Sequence, residues 1–185
     1  MKTEYRLAEA LKALLAEDNA LDDISVTKLV QKCKVNRQTF YYHFHDIYDL
    51  LTLVYLNEKI SNIERSQNVR EMLKHIYDYY KKNKKFIKGT LSSAGRDLFS
   101  EFIYNNCYQI LSKLLLEIDE SNELSDYEKK DIVRFTSAGF SYQIVFYFAN
   151  FRNPSLEGLY NIFLSLPEDF LKKATNNVLL KRKTK

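Results

Sequence analysis

Ten side chains between Ser25 and His43 are candidate contacts to nucleic acid by type and position: Ser25, Thr27, Lys28, Lys34, Arg37, Gln38, Thr39, Tyr41, Tyr42 and His43. No Asp or Glu occurs from Ile24 through His45, although the whole chain is nearly balanced at a formal net charge of +4. An acid-free segment with Lys28, Lys32, Lys34 and Arg37 is a surface suited to phosphates. The order of residues also matters. Arg37, Gln38 and Thr39 open a short helix. Arg can bond guanine O6 and N7 together, Gln can bond adenine N6 and N7, and Thr can meet a thymine methyl. Tyr41, Tyr42 and His43 follow and suit phosphate oxygens. Ser25, Thr27 and Lys28 open the preceding helix, where free backbone N–H groups favour an anion.

Three predicted helices position these groups. Leu7, Ala10, Leu11, Leu14 and Leu15 share one face of a first helix that ends near Asp18-Asn19. Ser25 caps a second, with Val26, Leu29 and Val30 inward, stopping around Cys33-Lys34. Asn36 caps a third, Arg37 to Phe44, whose Phe40 and Phe44 anchor it to the core together with Val35. Asp46 then caps a fourth helix, with Asp49 placed as the reciprocal member of a capping box.

Beyond about Asn57 the chain reads as further helices: Val69–Lys82, Asp97–Ile118, a long helix opened by a Ser125–Glu128 capping box, and one capped by Ser155 running through Leu159, Ile162, Phe163 and Leu166. Lys181–Lys185 reads as a disordered tail. With 45% hydrophobic residues, only four Gly and two Pro, and no sustained alternation, the fold class is all-α. Arg134, Thr136, Ser137, Ser141, Gln143 and Asn150 break the most apolar run, so no membrane span is expected.

Enzymatic chemistry finds no support. There is no phosphate-cradling glycine loop, nucleophile elbow or catalytic dyad. His43 and His45 do not share a helix face and have no third ligand, so neither metal nor cofactor is expected. Cys33 and Cys107 lie far apart, consistent with a reducing, cytoplasmic setting. Lys81, Lys82, Lys84 and Lys85 read as a solvated helix end, with a second DNA contact as the alternative. Aromatic residues of the C-terminal body, Tyr77, Tyr80, Phe99, Phe102, Tyr104, Tyr108, Phe140, Tyr142, Phe146 and Tyr147, read as core or dimer interface. A ligand pocket is the alternative, and no ligand-binding residue is assigned.

The run SVTKLVQKCKVNRQTFYYHFHDIYDLL, Ser25 to Leu51, resembles the signature of the tetracycline-repressor (TetR) family of bacterial transcription regulators, most specifically in the TFYYHF core, Thr39 to Phe44. More narrowly, the chain is similar to the dihydroxyacetone-kinase-regulator branch from Firmicutes. The resemblance implies an N-terminal three-helix helix-turn-helix DNA-binding domain over residues 1–52, with the motif at about 25–44. A helical dimerisation and effector domain over 53–185 would follow. It also implies DNA contacts at Ser25, Thr27, Arg37, Gln38, Thr39, Tyr41, Tyr42 and His43. The expected partners are double-stranded operator DNA, a second copy of the chain forming a homodimer, and a small-molecule or protein effector. A repressor is expected, with an activator controlled by a protein, or a helical protein-interaction module, as alternatives. One departure stands out: the family often has Gly at the turn where this chain has Lys34. If that position needs positive φ, Lys costs roughly 1 kcal/mol relative to Gly, while its amine could reach a phosphate.

Overall fold

The computed structural model describes residues 3–17, 19–163, 166 and 169–183. Those residues form ten α-helices and no strand: α1 (Thr3–Ala16), α2 (Val26–Cys33), α3 (Arg37–His43), α4 (Ile47–Asn57), α5 (Val69–Lys82), α6 (Lys84–Leu91), α7 (Gly95–Ile118), α8 (Asp126–Asn150), α9 (Leu156–Asn161) and α10 (Phe170–Lys183). The architecture is all-α, as the composition and periodicity predict. Two compact units emerge, one of Met1–Lys59 with Tyr79–Phe102, the other of Ile60–Asp78 with Ile103–Lys185.

In the first unit α1 is the hub, packing on α2, α4 and α6. Its inward stripe of Leu7, Leu11, Leu14 and Leu15 is almost wholly buried, and each such leucine stabilises the fold by roughly 1.5–3 kcal/mol. Leu29 from α2, Phe40 from α3 and Leu50 from α4 complete this core. An aromatic cluster continues it. Tyr55 lies 5.5 Å from Phe86, 5.9 Å from Phe99 and 5.4 Å from Phe102 between ring centroids. A polar node closes the cluster: Lys12 Nζ is 2.5 Å from Glu58 Oε1, and the Tyr79 hydroxyl donates to Glu58 Oε2 at 2.9 Å. Burial, then the nearby Glu58 charge, raises the Tyr79 pKa, so the hydroxyl stays protonated and remains a donor.

The second unit is built on α8. The Ser125–Glu128 capping box opens it as the sequence predicts. Val133, Phe140, Ile144, Val145, Tyr147 and Phe148 form its buried face. Phe140 stacks on Phe163 at 4.4 Å and meets Phe170 of α10 at 5.7 Å. Asp119 organises the turn between α7 and α8, accepting from the N–H groups of Glu123 and Leu124 and pairing with Lys129 at 3.1 Å. Burial works against this carboxylate, but the Lys129 and backbone hydrogen bonds outweigh it and hold its pKa below the ordinary value. Gly158 has a specific reason to be glycine: a Cβ there would lie 2.0 Å from the Tyr147 hydroxyl. That hydroxyl accepts from Ser155 N–H at 3.0 Å.

Three readings need correction. The helix expected to run through Leu166 ends at Asn161, with Ile162 and Phe163 in a turn. Phe163 is drawn onto Phe140, and Pro167 disfavours helical geometry in the residue before it. Residues 164 and 165 lie outside the described residues. The tail expected to be disordered from Lys181 is helical to Lys183, as the end of α10, while 184–185 lie outside the described residues. Val26 and Val35, expected in the core, are only half-buried.

Candidate nucleic-acid interface

The second helix begins as its cap dictates. Ser25 is extended (φ −78°, ψ 153°) and its hydroxyl accepts the Lys28 N–H at 3.2 Å. Leu29, Val30 and Cys33 turn inward, leaving Thr27, Lys28, Gln31 and Lys32 exposed. The far end is fastened to α1. Arg6 donates to the Cys33 carbonyl at 2.6 Å, and Cys33 Sγ donates to the Arg6 carbonyl at 3.4 Å. Burial raises the Cys33 thiol pKa, which suits a packing role over reactivity.

Lys34 does occupy the left-handed region, at φ 54° and ψ 45°. The Lys34 N–H bonds the Gln31 carbonyl at 3.2 Å and the Val35 N–H bonds Val30 at 3.1 Å. These are the two bonds of a Schellman closure, which satisfies the last carbonyls of α2 and turns the chain sharply into α3. Asn36 then caps α3, accepting both the Thr39 N–H at 2.7 Å and the Thr39 hydroxyl at 2.8 Å.

Phe40 is fully buried and Phe44 nearly so, their rings 5.8 Å apart. With those two anchored, α3 presents Arg37, Gln38, Tyr41 and Tyr42 outward. Tyr41 is 52% and Tyr42 84% exposed, in a helix whose buried residue is Phe40. Adjacent exposed rings with hydroxyl tips offer contact area and hydrogen bonds to a partner. Arg37 lies along Tyr41, its guanidinium 5.9 Å from the ring centroid and 3.4 Å from the hydroxyl.

Thr27 and Lys34 are exposed, whereas other groups of the segment have internal partners. Thr39 is half-buried and its hydroxyl is engaged by Asn36. His43 is half-buried, with Nδ1 3.3 Å from Glu4 of α1. Lys28 donates to Asn19 at 2.6 Å, and Lys32 pairs with Glu17 at 2.7 Å. Thus Glu4 of α1 and Glu17, one residue past its end, approach a segment that carries no acid of its own. The capping of α4 also differs in detail from the expected reciprocal box. Asp46 accepts the Asp49 N–H at 2.8 Å, but the Asp49 carboxylate accepts from His45, one residue before the cap.

The partners Glu4, Glu17, Asn19 and Arg6 carry no motif in the sequence. Only the docking of α1 brings them to α2 and α3. The C-terminal aromatic residues divide. Tyr80, Phe99 and Phe102 belong to the core of the first unit, and Phe140 and Tyr147 to that of the second. Tyr142 and Phe146 stack on each other in the open at 6.2 Å. Tyr108 lines a shallow cleft with Ser112, Leu115, Leu116, Lys129, Lys130 and Val133. Among the described residues no group of three His, Cys, Asp or Glu is placed to hold a metal ion, and no helix is long and apolar enough to cross a membrane.

Comparison with known proteins places the chain among transcriptional regulators. Residues 67–179 match the TetR-type family described as "Transcriptional regulator C-terminal region". The chain is 26% identical over 169 residues to the HTH-type dhaKLM operon transcriptional activator DhaS of Lactococcus lactis subsp. lactis (strain IL1403), covering 89% of this chain and 88% of that protein. A solved structure of the dihydroxyacetone kinase operon activator DhaS superposes with a TM-score of 0.59 at 25% identity, covering 98% of this chain and 97% of the other. These relatives are regulators of transcription, not enzymes.

Proposed function

Because the chain belongs to the TetR family of transcriptional regulators, in its DhaS-like branch, we propose that it is a homodimeric, sequence-specific binder of operator DNA, reading bases through α3. Residues 1–52 bind DNA, and residues 53–185 dimerise and receive the effector, a small molecule or a protein. One observation carries this reading: α3 holds Arg37, Gln38, Tyr41 and Tyr42 in the open while Phe40 is sealed beneath them. A helix in that posture can enter a major groove, with its first residues at base edges. Arg37 and Gln38 read bases. Tyr41, Tyr42, Thr27, Lys28, Lys34 and the capped start of α2 meet phosphates, which fix register. Thr39 and His43 contribute at the cost of loosening their bonds to Asn36 and Glu4.

One such helix reads too few bases for useful selectivity, so two copies on a near-palindromic site are required. The outer face of α8 supports the dimer. Phe135 is 85% and Tyr142 67% exposed, Phe146 follows one turn on, and Gly139 lies among them with open space around it. An apolar stripe of this size marks a contact surface. Ligand binding to residues 53–185 then favours one spacing of the two reading heads over another. Both relatives are named activators, which supports activation over the repression expected from the wider family.

The decisive experiment is gel-shift or anisotropy titration with duplexes tiling the DNA beside the chain's own gene. Arg37→Ala with Tyr41→Ala should weaken binding by at least ten-fold, a bidentate base contact alone contributing roughly 1–3 kcal/mol. Helicity and dimerisation should be unchanged. Retained binding by the double variant would refute the assignment to α3. A reporter fused to the bound promoter gives the sign: deletion of the regulator lowers expression if it activates.

A further inference from the structure

The helix-turn-helix, with four cations and no acid from Ile24 through His45, is one of two basic segments in the first unit. Residues 1–59 carry eight Lys and Arg against nine Asp and Glu. Residues 79–102, which belong to the same unit, carry six against two. The six are Lys81, Lys82, Lys84, Lys85, Lys88 and Arg96, and no acid occurs from Tyr79 through Arg96. All six are exposed.

Helix ends commonly gather lysines, and Lys81 and Lys82 fit that explanation in the last turn of α5. Lys84 and Lys85 do not. They stand in the first turn of α6, which has no acidic residue, where the helix dipole opposes a cation. The same exposed side of α6 then adds Lys88 one turn on. An exposed cluster of cations with no acid among them is a surface to which a polyanion is attracted.

The position of α6 says which partner. It packs on α1 through Phe86, Ile87 and Gly89. At Gly89 the approach is so close that a Cβ would lie 2.6 Å from the Asn19 carbonyl. The Asn19 side chain in turn accepts from Lys28 at 2.6 Å, at the start of α2. A single residue therefore separates the α6 backbone from Lys28, a proposed phosphate contact. Lys88 is the immediate chain neighbour of the glycine in that contact.

We propose that Lys84, Lys85 and Lys88 of α6, with Lys81 and Lys82 before it, form a second phosphate-binding surface, which grips duplex DNA flanking the site read by α3. It rests on the DNA-binding reading above and extends it. The α3 face supplies discrimination, and the lysine surface adds sequence-independent attraction to that of Lys28 and Lys34.

The test uses the full-length chain and fluorescein-labelled duplexes of random sequence, one short and one about three helical turns long, titrated across salt concentrations. Lys84→Gln, Lys85→Gln and Lys88→Gln are combined in one variant. A control of equal charge change carries Lys130→Gln, Lys172→Gln and Lys173→Gln, in the second unit. Each lost phosphate contact lowers the slope of log K against log salt by about 0.9. The α6 variant should therefore lose up to about 2.7 per protomer on the long duplex, a change of about 40-fold between 50 and 200 mM salt. The short duplex and the control should move far less. Melting temperature should hold or rise, because two cations leave a helix N-terminus. An α6 variant that matches the control on the long duplex overturns the proposal while leaving the α3 reading intact. Failure of the unaltered chain to bind any duplex overturns both. Lysine-dependent binding of polyglutamate without lysine-dependent binding of duplex would assign the surface to an acidic polypeptide instead, and also overturns it.

Discussion

Lys34→Gly should make the protein more stable. Three non-glycine residues among those described have positive φ: Lys34, Asn62 and Asn122. Asparagine tolerates that region because its short side chain can bond locally, whereas lysine has no such help. A left-handed L-residue costs roughly 1–2 kcal/mol through the clash of its Cβ. Glycine escapes that cost but brings extra freedom to the unfolded chain, worth about 0.5–1 kcal/mol. The net gain is about 0.5–1 kcal/mol, or roughly 1–4 °C in Tm for a chain of this size. Protein concentration must be fixed between samples, since the proposed dimerisation would couple to unfolding.

The comparison that isolates the cause is Lys34→Ala. Both variants remove the charge, and with it any favourable interaction with the C-terminal end of α2. Only alanine keeps the Cβ. Calorimetry or urea titration should place Lys34→Gly above Lys34→Ala, with the m-value unchanged. Equal stabilities for the two variants would refute the claim that the Schellman turn holds Lys34 under strain. DNA binding should show the opposite pattern. If the Lys34 amine touches a phosphate, both variants lose the same salt-dependent contribution, about 0.9 in slope per protomer. A position that is costly for folding and useful for binding would explain lysine where glycine fits better.

Other outcomes follow from single contacts. Asn36→Ala removes the acceptor for both the N–H and the hydroxyl of Thr39; it should cost about 1 kcal/mol in chemical denaturation and weaken operator binding through fraying of α3. Asp119→Ala leaves the Glu123 and Leu124 N–H groups without their acceptor and removes the ion pair to Lys129, and should cost about 2 kcal/mol. The Asp119 pKa is lower in the folded state than unfolded, so its stabilisation is present above about pH 4 and is lost as pH falls through the lower folded value; Asp119→Asn should flatten that acid limb in melting curves. Phe135→Glu with Tyr142→Glu should convert the dimer to monomers in sedimentation equilibrium and abolish operator binding without lowering helicity, and a dimer that persists would move the interface away from this face of α8.

The parts of the fold legible in the sequence were those written in local chemistry. Caps at Ser25, Asn36, Asp46, Ser125 and Ser155 announced five helix starts, because a side chain bonding three residues ahead is a short-range signal. Phe40 and Phe44 were legible as anchors because four residues make one turn. Three features were not. The acidic partners of Lys32 and His43, Glu17 and Glu4, lie far from them in sequence, so only tertiary packing pairs them. Helix α6 hid inside a lysine run that reads equally well as a helix end. The break after α9 turns on Phe163 stacking against Phe140, a contact with no signature in the residues beside it.

The outward face of α3 is polar more than it is charged. Arg37 is its single permanent cation, beside Gln38 and two tyrosines. Hydrogen bonds to base edges are lost when the sequence is wrong, whereas attraction to phosphates is not. On the proposed reading such a helix discriminates strongly and grips weakly. The nearby lysines do little to change this, because Lys28 and Lys32 already have partners in Asn19 and Glu17. Those exposed pairs are worth at most about 1 kcal/mol each, so a phosphate can displace them, but the net gain shrinks accordingly. Grip must then come from a second protomer, from surfaces outside the motif, or from both. The proposed dimerisation through α8 and the proposed lysine surface of α6 are two such sources. Removing either should leave the order of preference among operator sequences unchanged while lowering affinity for all of them.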